Sequence, residues 1–290
     1  MRPLLFVCLT IFSAGLSASA TGDNLEQGPV RVLFVGHKSD RHDSNLYYPM
    51  LAEALGREAI YFDYVTTTEA AFGDPDYLSL FDSVLLYANH KEIDPDHWEN
   101  LKSFIESGRG FVPVHCASWC FQNIPEFDQV VGGRFAEHKA SIFRPRTIAP
   151  EHAAIREVPE FEAWDETYKH SRHNPEGRTV LQVREVAEND NITEPEPWTW
   201  IRSQGKGRVF YTASGHDERV WSLPEFHELL KRGILWSIGK ERLSAYESFI
   251  KRRAPLTYEK RADIPNYENR PEPLPYQHPL KAEDSLQYTR

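Results

Sequence analysis

The feature that most constrains this chain is a succession of short, largely apolar runs, Val30–Val35, Ala59–Val65, Phe81–Ala88 and Gly110–Cys116, separated by stretches of helical spacing. A run with almost no polar face reads as a strand covered on both sides, which is the habit of parallel sheets. Between the runs, Ser44–Leu55 places Leu46, Met50, Leu51, Ala54 and Leu55 at helical intervals. Asp94-Pro95 supplies an N-cap and a first-turn proline for a helix with Trp98, Leu101, Phe104 and Ile105 on one face, closed at Gly108. This alternation predicts an α/β fold: an open parallel sheet with right-handed crossovers and helices on both faces.

The second half is less regular. Between Val131 and Glu196, only Ser141–Ile148 and Thr179–Val186 read as strands, and the rest reads as loops of a lid or edge insertion. Trp198–Arg202 and Arg208–Thr212 flank the turn Gln204-Gly-Lys-Gly207, and Leu223–Ile238 is a periodic helix carrying Phe226, Leu229, Leu230, Ile234 and Trp236. Gly205-Lys-Gly207 lacks phosphate-loop spacing and sits between two strands, so it is read as a hairpin turn.

The termini differ in character. Arg2, the apolar stretch Leu4–Leu16 and Ala18-Ser19-Ala20 have the order of a secretory signal peptide, so cleavage is expected after Ala20 and the product is expected to be periplasmic or extracellular. No later segment has the roughly 20 apolar residues of a membrane span. After Glu241 the chain turns rich in proline and charge. The expected organisation is therefore a leader at 1–20, a linker at 21–29, one domain at 30–240 and a tail at 241–290, the tail being a candidate for docking a partner or a second copy. A formal charge of −10 argues against nucleic acid, whose binding needs a basic face, and favours a small or neutral ligand. Cys116 and Cys120 are the cysteines left after cleavage; their spacing fits a helical turn better than a disulfide, so two thiols are expected.

Chemistry concentrates at strand ends. His37 follows the first strand, His115 ends Val112-Pro-Val, and His216 follows the strand Arg208–Thr212, while His138 arrives after Gly132-Gly133. A doubly wound sheet presents such residues along one edge, where ligands bind. Imidazoles gathered there suit either acid–base work or a divalent metal such as zinc, with Asp165 or Glu166 completing the shell. The metal candidates are His37, His115, His138 and His216. For catalysis the candidates are His115, His216, Asp165 and Glu166, and for substrate contact His37, His138, Tyr168 and Trp198, the last by stacking on a sugar face.

Gly36-His37, Val112-Pro-Val-His115, Val131-Gly-Gly-Arg-Phe135-Ala-Glu-His138, Asp165-Glu166-Thr-Tyr168 and Gly205-Lys-Gly-Arg208 with Gly215-His216, taken in order, resemble the trehalose-utilisation (ThuA-like) family. The resemblance runs from about Val30 to Gly239. It implies a flavodoxin-like, class I glutamine amidotransferase-like architecture and a role in carbohydrate metabolism, with a disaccharide or keto-sugar as ligand. In true amidotransferases a nucleophilic cysteine occupies a tight strand-to-helix elbow; the best register here puts His115 in its place. A one-residue shift would make Cys116 the nucleophile of an amidase or peptidase. That alternative and a non-catalytic sugar-binding module both stay open at the level of sequence.

Overall fold

A computed structural model describes residues 28–253 apart from Lys38 and Asp40. The expected leader and most of the tail lie outside the described residues. In chain order the elements are β1 (Val30–Val35), α1 (Ser44–Gly56), β2 (Ile60–Val65), α2 (Thr68–Phe72), α3 (Pro75–Ser79), β3 (Ser83–Leu86), α4 (Pro95–Glu106) and β4 (Gly110–Pro113). A 3-10 turn at His115–Trp119 leads to α5 (Pro125–Val131), β5 (Arg134–Phe143), β6 (Arg146–Thr147), β7 (Ala163–Ser171), β8 (Arg178–Arg184), β9 (Glu196–Gln204) and β10 (Gly207–Thr212). The helices α6 (Glu218–Trp221), α7 (Pro224–Ser237) and α8 (Lys240–Arg252) follow. Among the described residues no helix is long and apolar enough to cross a membrane.

The main sheet has the order β2-β1-β3-β4-β10-β9-β8-β6. Its first five strands pair in parallel and β9, β8 and β6 are added antiparallel, so the sheet is mixed, with the doubly wound order in its parallel part. One face buries Trp98, Leu101, Phe104 and Ile105 of α4 with Phe127 of α5, and the other buries Leu51 of α1 with Phe226, Leu229, Leu230 and Ile234 of α7. Covering on both sides is why β1 is buried at nearly every position. The capping read at Asp94-Pro95 is present: the Asp94 side chain accepts from the Asp96 amide.

Four elements depart from the sequence reading: the strand read at Ser141–Ile148 is instead β5, which begins at Arg134 and ends at Phe143, with the short β6 following at Arg146–Thr147. The strand expected to run to Cys116 ends at Pro113, because the chain turns into the 3-10 segment at His115. Residues 163–171, read as loop, form β7, which pairs with β5 in a separate two-stranded ribbon. Helix α8 continues to Arg252, beyond the boundary drawn at 240, and buries Tyr246.

A polar chain crosses the interior behind the strand ends. Glu196 Oε1 accepts from the His170 amide at 3.1 Å and from His170 Nδ1 at 2.9 Å, and His170 Nε2 meets the Tyr211 hydroxyl at 3.0 Å. That hydroxyl also lies 3.1 Å from the His115 carbonyl and 3.0 Å from Ser118 Oγ, which ties the chain to the 3-10 turn. Burial pushes Glu196 up, but hydrogen bonds from His170 and His173 outweigh it and bring its pKa to about 2. A carboxylate depressed in the fold stabilises above its ordinary 4.5 and loses that contribution as the pH falls from there towards 2.

Two outcomes follow from this packing. A Cβ at Gly207 would lie 1.9 Å from the Ile105 carbonyl oxygen and 2.6 Å from that of Arg109, so Gly207→Ala should cost about 2–3 kcal/mol of urea-unfolding free energy, and a cost under about 0.5 kcal/mol contradicts this packing. In the second, wild-type stability should fall on acidification through the window below 4.5, and Glu196→Gln should flatten that fall; equal slopes in the two proteins contradict the role given to Glu196.

Candidate metal and sugar site

Four parts of the chain converge beyond the carboxyl ends of the parallel strands. The loop after β1 brings His42, the 3-10 turn after β4 brings His115, the loop after β10 brings His216, and β7 brings Glu166. One ligand atom from each of these four residues lies within 4.8 Å of all the others, the one such group of metal-binding side chains among the described residues. Two of the four stand in the left-handed region, His42 at φ 54° and His115 at φ 49°. That conformation costs a non-glycine residue energy and gathers at functional sites. It also gives His115 the elbow geometry expected for it at the end of β4.

Glu166 is the hub. Its Oε2 lies 3.3 Å from His115 Nε2, 3.2 Å from His216 Nδ1 and 3.6 Å from His42 Nε2, and His216 Nδ1 is 3.1 Å from His42 Nε2. Neighbours decide which of these nitrogens carry protons. His115 Nδ1 donates to the Ala213 carbonyl at 2.6 Å, which leaves Nε2 a lone pair facing a carboxylate, buried and without a hydrogen-bond partner. His42 Nδ1 donates to Asn89 Oδ1 at 2.8 Å, which likewise leaves its Nε2 an acceptor. Several acceptors aimed at one point repel one another unless a cation lies among them. Ligands about 2.1 Å from zinc in a tetrahedron stand about 3.4 Å apart, close to the spacing seen here.

The electrostatics differ from ring to ring. Burial pushes His115 down to about 3, so it stays neutral and ready to coordinate. Burial alone would raise Glu166; hydrogen bonds donated by the imidazoles of His115, His216 and His42 would hold it well below the usual carboxylate range, but with His115 and His42 turned as acceptors only His216 is left to donate one. His216 is lowered by burial and raised more strongly by the Glu166 carboxylate.

The other sequence candidates surround this group. Asp165 Oδ2 accepts from the Gly215 amide at 2.9 Å, and its Oδ1 from the His216 amide at 3.1 Å and the Glu166 amide at 2.8 Å, so it clamps the His216 loop onto β7. Burial raises its pKa to about 7 against those bonds. Tyr168 is buried and stacks on the His115 ring at 4.2 Å, fixing that imidazole's plane. His138, half-exposed on β5, approaches the other Glu166 oxygen, Nε2 to Oε1 being 3.5 Å.

Two candidates stand elsewhere. His37 uses both ring nitrogens on backbone, Nε2 donating to the His42 carbonyl at 3.0 Å and Nδ1 accepting from the Asn89 amide at 3.1 Å, so it shapes the His42 loop. Trp198 is fully buried and donates to Ser214 Oγ at 2.7 Å, which leaves no face for a sugar to stack on. Trp164 lies nearer, 5.5 Å from the His216 ring, with the Arg219 guanidinium 3.5 Å over its own ring. Sequence reasoning missed His42 and Asn89. The one available signal was position, since His42 directly precedes the Asp43 cap of α1 in the first strand-to-helix loop. Cys116 is fully buried and desolvation raises its thiol far above the ordinary value, the opposite of an activated nucleophile.

Known proteins share this fold. A ThuA-like protein of Parabacteroides merdae ATCC 43184 superposes with a TM-score of 0.61 at 18% identity, over 72% of this chain and 90% of its own. A ThuA-like protein of Bacteroides uniformis ATCC 8492 gives 0.61 at 17% identity, over 75% of this chain and 97% of its own. No curated relative matches the sequence. At these identities the likeness speaks for the fold. The family model described as ThuA, trehalose utilisation, matches residues 31–237, and the chain belongs to that family.

Proposed function

We propose that this protein is an exported, metal-dependent enzyme of carbohydrate metabolism that converts a disaccharide or its keto derivative at the His42, His115, Glu166 and His216 group. One observation carries the metal: His115 Nε2, buried and without a hydrogen-bond partner, faces the Glu166 carboxylate at 3.3 Å, with the acceptor Nε2 of His42 aimed at the same point. The sugar rests on membership of a trehalose-utilisation family. A divalent ion bound there would supply Lewis-acid stabilisation of a developing oxyanion, as neutral imidazoles and a carboxylate commonly arrange.

The chain's own residues divide the remaining work. Ala213 and Asn89 fix the ring tautomers of His115 and His42, the outer contacts that orient metal-ligating histidines. Asp165 holds the His216 loop against β7 and Tyr168 holds the His115 ring from one side. The buried, electrically suppressed Cys116 gives no support to thiol catalysis. His115, with its neutral ring sealed from solvent, acts as a ligand rather than as an exchanging base.

Elemental analysis of the purified mature protein tests this reading. Wild type should carry about one divalent ion per chain, and His42→Ala and the His115→Ala/His216→Ala pair should lose it while Cys116→Ser keeps it. A metal-free wild type that gains no thermal stability from added zinc, manganese or cobalt contradicts it. Trehalose and its 3-keto form, followed by NMR with the loaded protein, then separate turnover from mere binding.

A further inference from the structure

We infer that Arg178 and Arg202 form a second binding site, one that takes a phosphate or carboxylate group; it shares no residue with the His42, His115, Glu166 and His216 group and does not rest on the reading given to that group. The two arginines stand directly opposite each other on the antiparallel pair β8–β9. Side chains so placed have their Cβ atoms about 5 Å apart, and like charges there repel. Both guanidiniums reach the backbone at Gly132. Arg178 Nη1 donates to its carbonyl at 3.0 Å, and Arg202 Nη1 lies 3.4 Å from where a Cβ on that glycine would stand.

The unmet demand is at Arg202. The residue is 8% exposed, and its Nε and Nη1 are sealed from solvent without a hydrogen-bond partner. A guanidinium buried in this way has lost its hydration and gained no acceptor. Burial first, and the Arg178 charge second, push it below its ordinary value. Neighbouring carboxylates do not close the gap. Glu176 favours the charge on Arg202 and Glu196 that on Arg178, in each case across space and not through a hydrogen bond. Asp128, on α5, is already held by both Arg134 and Arg172. A chain of formal charge −10 therefore keeps a local excess of positive charge here.

Arg178 is set to share the ligand. Its Nη1 is placed by the Gly132 carbonyl and by His173 Nδ1, which accepts at 2.9 Å, while its Cζ lies 5.3 Å from the centre of the Trp200 ring. These contacts leave the Nε–Nη2 edge, which matches the paired oxygens of a carboxylate or phosphate. In Arg202 the sealing of Nε and Nη1 likewise leaves Nη2 as the nitrogen facing outward. The neighbouring backbone carries no side chains: Gly132 turns at φ 98°, and a Cβ on Gly133 would stand 3.5 Å from the Trp200 ring and 3.6 Å from His173 Nδ1. The site also has its own place in the fold. Arg202 pairs with Val209 near the start of β10, whereas His216 follows the end of that strand.

Calorimetric titration of the full-length protein with inorganic phosphate, and separately with succinate, at an ionic strength held constant with chloride, tests the assignment. One phosphate should bind per chain, and His42→Ala should bind it equally. Arg178→Gln and Arg202→Met should each weaken it by about 10-fold or more, the loss of a charge-assisted hydrogen bond. In chloride alone Arg202→Met should melt no lower than wild type, because it removes a buried charge without a partner. Binding of succinate but not phosphate, with the same dependence on the two arginines, supports the site and names a carboxylate as its ligand. Four results would each overturn it: no binding of either anion, loss of binding in His42→Ala, wild-type affinity in Arg178→Gln, or a lower melting temperature of Arg202→Met in chloride, which would mean that the fold itself satisfies that guanidinium.

Discussion

The arrangement depends on one carboxylate. Glu166 sits where three strand ends and the β5–β7 ribbon meet, and its two oxygens face four imidazoles. An ionised carboxylate in a partly buried place survives only with donors or cations around it. Yet the neighbours fix His115 Nε2 and His42 Nε2 as acceptors, so the imidazoles cannot all supply the protons. On the reading proposed above, a divalent ion at the point on which these atoms converge resolves the contradiction. The left-handed backbone at His42 and His115 is the local cost of aiming both rings there.

The frame that meets this cost is the doubly wound sheet. Helices on both faces bury the parallel strands and bring the loops after β1, β4 and β10 to one edge. The resemblance to amidotransferases points to the elbow after β4. Where such an enzyme places a nucleophilic cysteine, this chain has a neutral histidine, and the adjacent Cys116 is buried in the apolar layer with Val112 and Val114. The same turn here aims the His115 ring at Glu166. The chain from Glu196 through His170 and Tyr211 braces that turn from behind.

Much of this was legible in the sequence, for physical reasons. Continuous apolar runs mark strands buried on two faces, and Asp94-Pro95 marks a helix start, so the parallel half and α4 could be read directly. Strand-end histidines could be placed because such sheets share one functional edge. β7 was not legible, because its buried positions include Asp165, Thr167 and His170, and polar residues facing inward erase the apolar alternation that marks a strand. The antiparallel addition of β9 and β8 makes the sheet mixed, which strand propensity alone does not reveal. His42 escaped because it sits mid-loop, and His37, which looked better placed, proves to be the residue that shapes the loop. Trp198 shows the usual fate of tryptophan, full burial with its N–H bonded inside.

The most direct test of the central claim is anomalous diffraction at the absorption edge of the ion found in the purified protein. The account predicts a single strong peak about 2.0–2.2 Å from His42 Nε2, His115 Nε2, His216 Nδ1 and a Glu166 oxygen. A peak elsewhere on the chain, or ordered water hydrogen-bonded among these side chains with no anomalous signal, would contradict it.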